Sequence, residues 1–147
     1  MTSGAVSRHD TNRRTSTVNV TVAEESPRNE RAGQVSYLLL SPGQFGSTHM
    51  AITLVKGDPD SEQPMHSHPE AEQVYVIVAG SGLMRVDDEE QEVGPGALVF
   101  IPPGAKHAIR SVGRKSLTYV SATSPPFRMP EPGSVFAYTP PDVGRNG

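Results

Sequence analysis

His66 and His68 stand one residue apart in the stretch Gly57-Asp-Pro-Asp-Ser-Glu-Gln-Pro-Met-His66-Ser-His68-Pro-Glu-Ala-Glu72-Gln73-Val-Tyr75-Val-Ile-Val-Ala-Gly80. On an extended chain the side chains at i and i+2 face the same way, so the two imidazoles can be presented to one ion. Neutral imidazole is the commonest protein ligand for divalent transition metals. A second arrangement of the same kind lies downstream, where His107 opens the apolar run His107-Ala-Ile-Arg-Ser111 just after the turn Pro102-Pro-Gly104. The chain has no cysteine, which removes disulfides, thiolate nucleophiles and thiolate ligands together. A metal here must be held by imidazole, carboxamide or carboxylate.

The elements that would carry these residues read as short strands. The chain has 147 residues, enough for one domain with a proper core. Its 14 glycines and 14 prolines tell against long helices and favour strands joined by turns. Val18–Val22 alternates at period two, as a first strand would, and a charged connector follows it to Gly33. Further strands are expected at Val35–Leu40, Ser47–Lys56, Gln73–Ala79, Leu83–Val86, Gln91–Val93, Ala97–Ile101, His107–Ser111 and Leu117–Ser121. Asp87-Asp88 supplies a hairpin turn. Ala97–Ile101 is apolar on both faces and reads as a buried strand. Short strands at even spacing, with no amphipathic helix between them, predict an all-β sandwich or barrel. Residues 1–17, polar and containing His9, are expected to be a flexible leader, residues 18–123 the barrel, and residues 124–147 a Pro-rich C-terminal arm.

Charge and composition narrow the partners. The net charge is −3 and no run of Lys or Arg exceeds two residues, so the footprint of a nucleic-acid or anionic-lipid binder is missing. The N-terminus lacks the apolar segment of a secretory signal, and no stretch approaches the roughly 18 apolar residues of a membrane span. A soluble cytoplasmic protein acting on a small molecule is the expectation.

Two spaced motifs give the chain a family resemblance. Gly57, His66, His68, Gln73 and Gly80 match the first motif of the cupins, and Gly96, Pro102, Gly104 and His107 match the second, with Ser111 where that motif usually has Asn. The resemblance covers roughly residues 35 to 122. It implies a single jelly-roll β-barrel holding one divalent transition metal (Fe, Mn, Ni, Zn or Cu) on His66, His68, His107 and a fourth side chain. Family spacing places that fourth ligand at Gln73, whereas Glu72 comes one position early. Gln73 shares a strand face with Tyr75 and Ile77, and Glu72 shares the other with Val74 and Val76; since both faces are apolar, alternation alone leaves the choice open.

The resemblance also implies a reaction class. With Gln73 as ligand every donor is neutral, the ion keeps its full charge, and Lewis-acid chemistry is favoured. The expected function is metal-assisted isomerisation, cyclisation or lysis of a small oxygenated metabolite, with Tyr75 and Glu72 as candidate catalytic groups. The alternatives are a non-haem Fe/Mn dioxygenase and a non-catalytic small-molecule or metal binder. Ile109 and Ser111 share the face of His107 and are expected to line the cavity. Arg85 and Arg110 belong on the outer barrel face, Phe45, Met50, Phe100 and Tyr119 in the core, and His49 on a strand surface. Cupin barrels are commonly dimers, so a homodimer using Val18–Val22 and the apolar tail is expected.

Overall fold

The computed structural model describes residues 18–126 and 138–140. Ten strands build two antiparallel sheets, with two 3-10 turns and no α-helix among the described residues. In chain order they are β1 (Arg28–Arg31), β2 (Gln34–Leu40), β3 (Ala51–Gly57), β4 (Glu62–His66), β5 (Glu72–Ala79), β6 (Ser81–Val86), β7 (Glu89–Val93), β8 (Leu98–Ile101), β9 (His107–Val112) and β10 (Leu117–Ser124). The larger sheet runs β1-β2-β3-β10-β5-β8 and the smaller β4-β9-β6-β7. This is the all-β class expected from the strand pattern and the jelly-roll architecture implied by the family resemblance. No helix among the described residues is long and apolar enough to cross a membrane.

Period-two burial explains how the larger sheet faces the core. Gln73, Tyr75 and Ile77 of β5 are buried, as are Leu117, Tyr119, Ser121 and Thr123 of β10 and Ala51, Thr53 and Val55 of β3. Cross-strand register sets Thr123 against Gln73 and Ala51, Ser121 against Tyr75 and Thr53, and Tyr119 against Ile77 and Val55. The inner face therefore grades from apolar (Tyr119, Ile77, Leu117) to polar (Gln73, Ser121, Thr123) along the strands. Met84, Ile101 and Ile109 belong to the same buried apolar cluster as Ile77, Leu117 and Tyr119.

Several expectations are corrected. Val18–Val22 is not a strand of the described chain, and Val18 and Val20 are 80% and 69% exposed. Alternation gave the segment a strand-like pattern, but no strand edge among the described residues pairs with it. The first strand is instead β1, inside the stretch read as a charged connector. It forms because Ala32 and Gly33, both at positive φ (44° and 81°), make a two-residue hairpin that returns directly into β2. β4 was hidden by its Pro/Gly-rich surroundings; it is an edge strand, where Pro64 is tolerated.

The apolar run Ala97–Ile101 forms edge strand β8 rather than a buried one. Leu98 and Phe100 are exposed on the outer face, while Ile101 is buried. Of the four residues expected in the core, Tyr119 is buried but Phe45, Met50 and Phe100 are exposed. Phe45 sits at positive φ in a 3-10 turn, and Met50 precedes β3. His9 and the tail residues Phe127, Met129, Val135 and Phe136 lie outside the described residues.

One of the crossings between the sheets passes through Gly80, at φ 75° between β5 and β6. A Cβ there would press into the carbonyl oxygen of Ser116 and meet Leu117 Cα at 3.0 Å. Gly80→Ala adds backbone strain to a clash with main-chain atoms that cannot rotate away. It is expected to cost about 2–4 kcal/mol, read as a lower urea midpoint; an unchanged midpoint would show that β5 and β6 can separate freely at this point.

Candidate metal centre and cavity

The two histidine motifs meet because β4 and β9 are neighbours. Their register sets His66 directly across from His107. The loop carrying His68 is tied to the turn before His107 by a hydrogen bond from Gly104 N–H to the His68 carbonyl, at 2.8 Å. Gly104 adopts φ 81°, a left-handed conformation that glycine supplies without strain. The ring centroids of His66, His68 and His107 lie 4.2–5.6 Å apart, and one ligand nitrogen from each falls within 4.8 Å of the others.

Backbone carbonyls set the tautomers. His66 Nδ1 lies 2.7 Å from the Pro64 carbonyl, and His107 Nδ1 lies 3.0 Å from the Ala105 carbonyl. A carbonyl only accepts, so each Nδ1 carries the proton and each Nε2 keeps its lone pair. His107 is fully buried, and its Nε2 has no hydrogen-bond partner among the described residues. Burial lowers the pKa of all three rings from the usual 6.5, opposed at His66 and His107 by these carbonyl bonds. Arg31 lowers His66 further, and the neighbouring rings lower His68 and His107, the last to about 4. The cluster is thus three neutral imidazoles at physiological pH, the form that binds metal.

Gln73 and Glu72 part company. Gln73 is buried and lines the same cavity as His66 and His68. Its Nε2 donates to Ser121 Oγ and Thr123 Oγ1, both at 2.9 Å, and its Oε1 is a second buried acceptor with no partner among the described residues. Glu72, expected as a catalytic group, is exposed on the opposite face of β5, because successive strand residues point to opposite sides. It does not line the cavity.

The cavity has a volume of about 560 Å³ between the sheets, within the range that holds a drug-sized molecule. Tyr75 forms part of its wall, 3% exposed, with its ring edge-on to His107 at 6.0 Å and tilted against Tyr119 at 4.6 Å. Burial pushes both phenols above their ordinary pKa, and the two hydroxyls share a hydrogen bond. Ile109 and Ser111, expected to line the cavity, are instead buried away from it in the core. They share the inward parity of His107, but the cavity ends short of them. His49, Arg85 and Arg110 are exposed and outside it.

Asn29, Arg31 and Gln63 are among the lining residues not singled out from sequence, and Tyr138, one of the apolar residues of the C-terminal arm, lines the cavity as well. Asn29 and Arg31 alternate inward on β1, while Arg28 and Glu30 face outward and pair at 3.4 Å. Tyr138 arrives beside β1 through a bridge between Thr139 and Arg28. Recognising β1 as a hairpin arm from Ala32-Gly33 was the available signal.

Comparison with known proteins agrees with this geometry. The cupin domain family matches residues 53–123. An uncharacterized protein of Methanocaldococcus jannaschii is 30% identical over 95 residues, which span 65% of this chain and 76% of that one. The chain belongs to the cupin family. The tetracenomycin polyketide synthase protein TcmJ of Streptomyces glaucescens is 28% identical over 121 residues, 78% of this cupin and 81% of its relative. Among solved structures, the polyketide cyclase RemF of Streptomyces resistomycificus superposes with a TM-score of 0.63 at 20% identity, covering 74% of this chain and 80% of that one.

In this cupin the donor chemistry fits a divalent ion: three neutral imidazoles can act together as nitrogen ligands. Without metal, their lowered pKa values make the unfolded chain bind protons first as pH falls. Their contribution to the stability of the metal-free protein is therefore whole above about pH 6.5 and declines as pH drops toward the His107 value of about 4. Urea midpoints of chelator-treated protein should fall across this window, with a shallower fall in His107→Gln; identical slopes would contradict the burial argument.

Proposed function

We propose that this cupin is a metal-dependent enzyme that cyclises, isomerises or cleaves a small oxygenated metabolite, and that Gln73 joins His66, His68 and His107 as the fourth ligand. The observation that carries the reading is the pair of buried acceptors, Gln73 Oε1 and His107 Nε2, with no donor among the described residues. Buried polar atoms normally find partners, and acceptors without donors call for a cation. Ser121 and Thr123 hold the Gln73 amide by its nitrogen and leave the oxygen for that role.

A divalent ion on this neutral donor set would supply Lewis acidity toward oxygen functions of the substrate. The protein does the rest. Tyr75, its pKa raised by burial, keeps its proton at neutral pH and serves as a hydrogen-bond donor and acid toward developing negative charge on oxygen, rather than as a base. Tyr119 supports it through their shared hydrogen bond. The aromatic and aliphatic walls, including Val55 and Tyr119, exclude water and favour a substrate with apolar surface. Cyclisation is the preferred branch, since the tetracenomycin polyketide synthase protein and the polyketide cyclase are among the similar proteins.

Metal analysis tests the ligand set. The purified protein should hold close to one equivalent, and His66→Ala and His107→Ala should each lose most of it; unchanged metal in both would overturn the assignment. Zinc has no redox chemistry, so zinc-loaded protein should turn over enolisable polyketide-like substrates without oxygen. An absolute oxygen requirement would point to a dioxygenase instead.

We also propose a cytoplasmic homodimer. The extended Val18–Val22 segment and the outer face carrying Val76, Val78, Leu98 and Phe100 leave apolar surface uncovered by the described chain, of a kind that a second copy can bury. Light scattering should give twice the 15.7 kDa chain mass. A monomeric mass at micromolar concentration would refute this.

A further inference from the structure

β3, β10 and β5 lie side by side, and their register sets Ser121 between Thr53 and Tyr75. All three are buried and line the cavity. Hydroxyl-bearing side chains thus stand in a row across the larger sheet, one per strand, at steps of about 5 Å. Register places this row between the level of Gln73 and Thr123 and the level of Val55 and Tyr119. Two residues of extended strand separate neighbouring levels, so the row is offset from Gln73 by about 7 Å along the strands.

Two of the hydroxyls in the row are engaged within the protein. Ser121 Oγ accepts from Gln73 Nε2 at 2.9 Å, and the Tyr75 hydroxyl shares a hydrogen bond with Tyr119. Thr53 is different. It is 6% exposed and lines the cavity, yet no hydrogen bond among the described residues uses its hydroxyl. Valine would fill nearly the same volume on this face between Ala51 and Val55, and a buried hydroxyl without a partner costs stability by comparison. Packing therefore does not account for the oxygen, whereas a molecule in the cavity would. A hydroxyl is uncharged and offers one donor and two acceptor sites, so it suits a neutral oxygen function, a carbonyl or another hydroxyl. We propose that Thr53 is a specificity-determining residue that binds a second oxygen function of the substrate while a first lies at the histidines, so that the cavity selects molecules with two separated oxygen functions over those with one. This rests on the cavity being the substrate site, and it narrows the oxygenated metabolite to one bearing at least two such groups.

The probes are naphthalene-2,7-diol and 2-naphthol, matched in body and differing by one hydroxyl. Their affinities are measured by calorimetry on the full chain after chelator treatment, when His107 Nε2 and Gln73 Oε1 are acceptors for one hydroxyl of either probe. Wild type should bind the diol roughly fivefold or more tightly. Thr53→Val should remove that advantage and leave 2-naphthol binding within about twofold, while Thr53→Ser, which keeps the oxygen, should retain it. Urea unfolding supplies a readout that needs no ligand. Because the hydroxyl lacks a partner in the barrel, the midpoint of Thr53→Val should match or exceed that of wild type. Equal affinity of wild type for both probes, an advantage that survives in Thr53→Val, or a lowered midpoint in that variant would overturn the proposal. Failure of the metal or turnover tests would leave discrimination by stripped protein intact, so the two readings fail separately.

Discussion

Two main-chain carbonyls hold the centre of this protein in a usable state. Those of Pro64 and Ala105 accept from His66 and His107 through Nδ1, so each ring turns a lone pair, not a proton, toward the cluster. Three imidazoles packed this closely cannot all be protonated without repelling one another, and burial penalises the charge again. Both effects favour the neutral cluster, and a neutral cluster of nitrogen lone pairs suits a metal ion. The β4–β9 register supplies the alignment, and the bond from Gly104 to His68 fixes the loop between them.

The rest of the barrel grades around that cluster. Alternation along β5 and β10 sends Gln73, Ser121 and Thr123 to the same inner face as Tyr75 and Tyr119. The amide of Gln73 is fixed at its nitrogen by two hydroxyls from the neighbouring strand. Polar side chains inside a core are costly unless paired, so the grouping gives Gln73 a single orientation. Beside the cavity, β1 reaches β4 through the hydrogen bond that Arg31 donates to Gln63, tying the two sheets together.

Much of this was legible in the chain. The His-x-His pair, His107 behind a Pro-Gly turn and the spacing of Gly57, Gly80, Gly96 and Gly104 depend on neighbours a few residues away, and such signals survive in one dimension. The strands β5, β6, β9 and β10 were equally readable from period-two patterning. What misled was pattern without a partner. Val18–Val22 alternates well, yet nothing among the described residues pairs with it, whereas Arg28–Arg31 has no apolar alternation and becomes a strand because its hairpin delivers it to β2. Phe100 and Leu98 look like core residues until β8 turns out to be the edge of its sheet.

The sequence by itself determined the all-β class, the cupin motifs and the three histidines, because each rests on residue type and short spacing. It could narrow the neighbouring side chain to Gln73 or Glu72 but not choose, since both faces of β5 are apolar and alternation only says that the two point opposite ways. Tertiary structure decided that choice of face, by packing β10 against β5 with Ser121 and Thr123 beside Gln73. It alone brought Arg31 and Tyr138 to the cavity that His66 and His68 line. Those encounters join residues far apart in the chain, and only the pairing of strands across two sheets puts them within reach of one another.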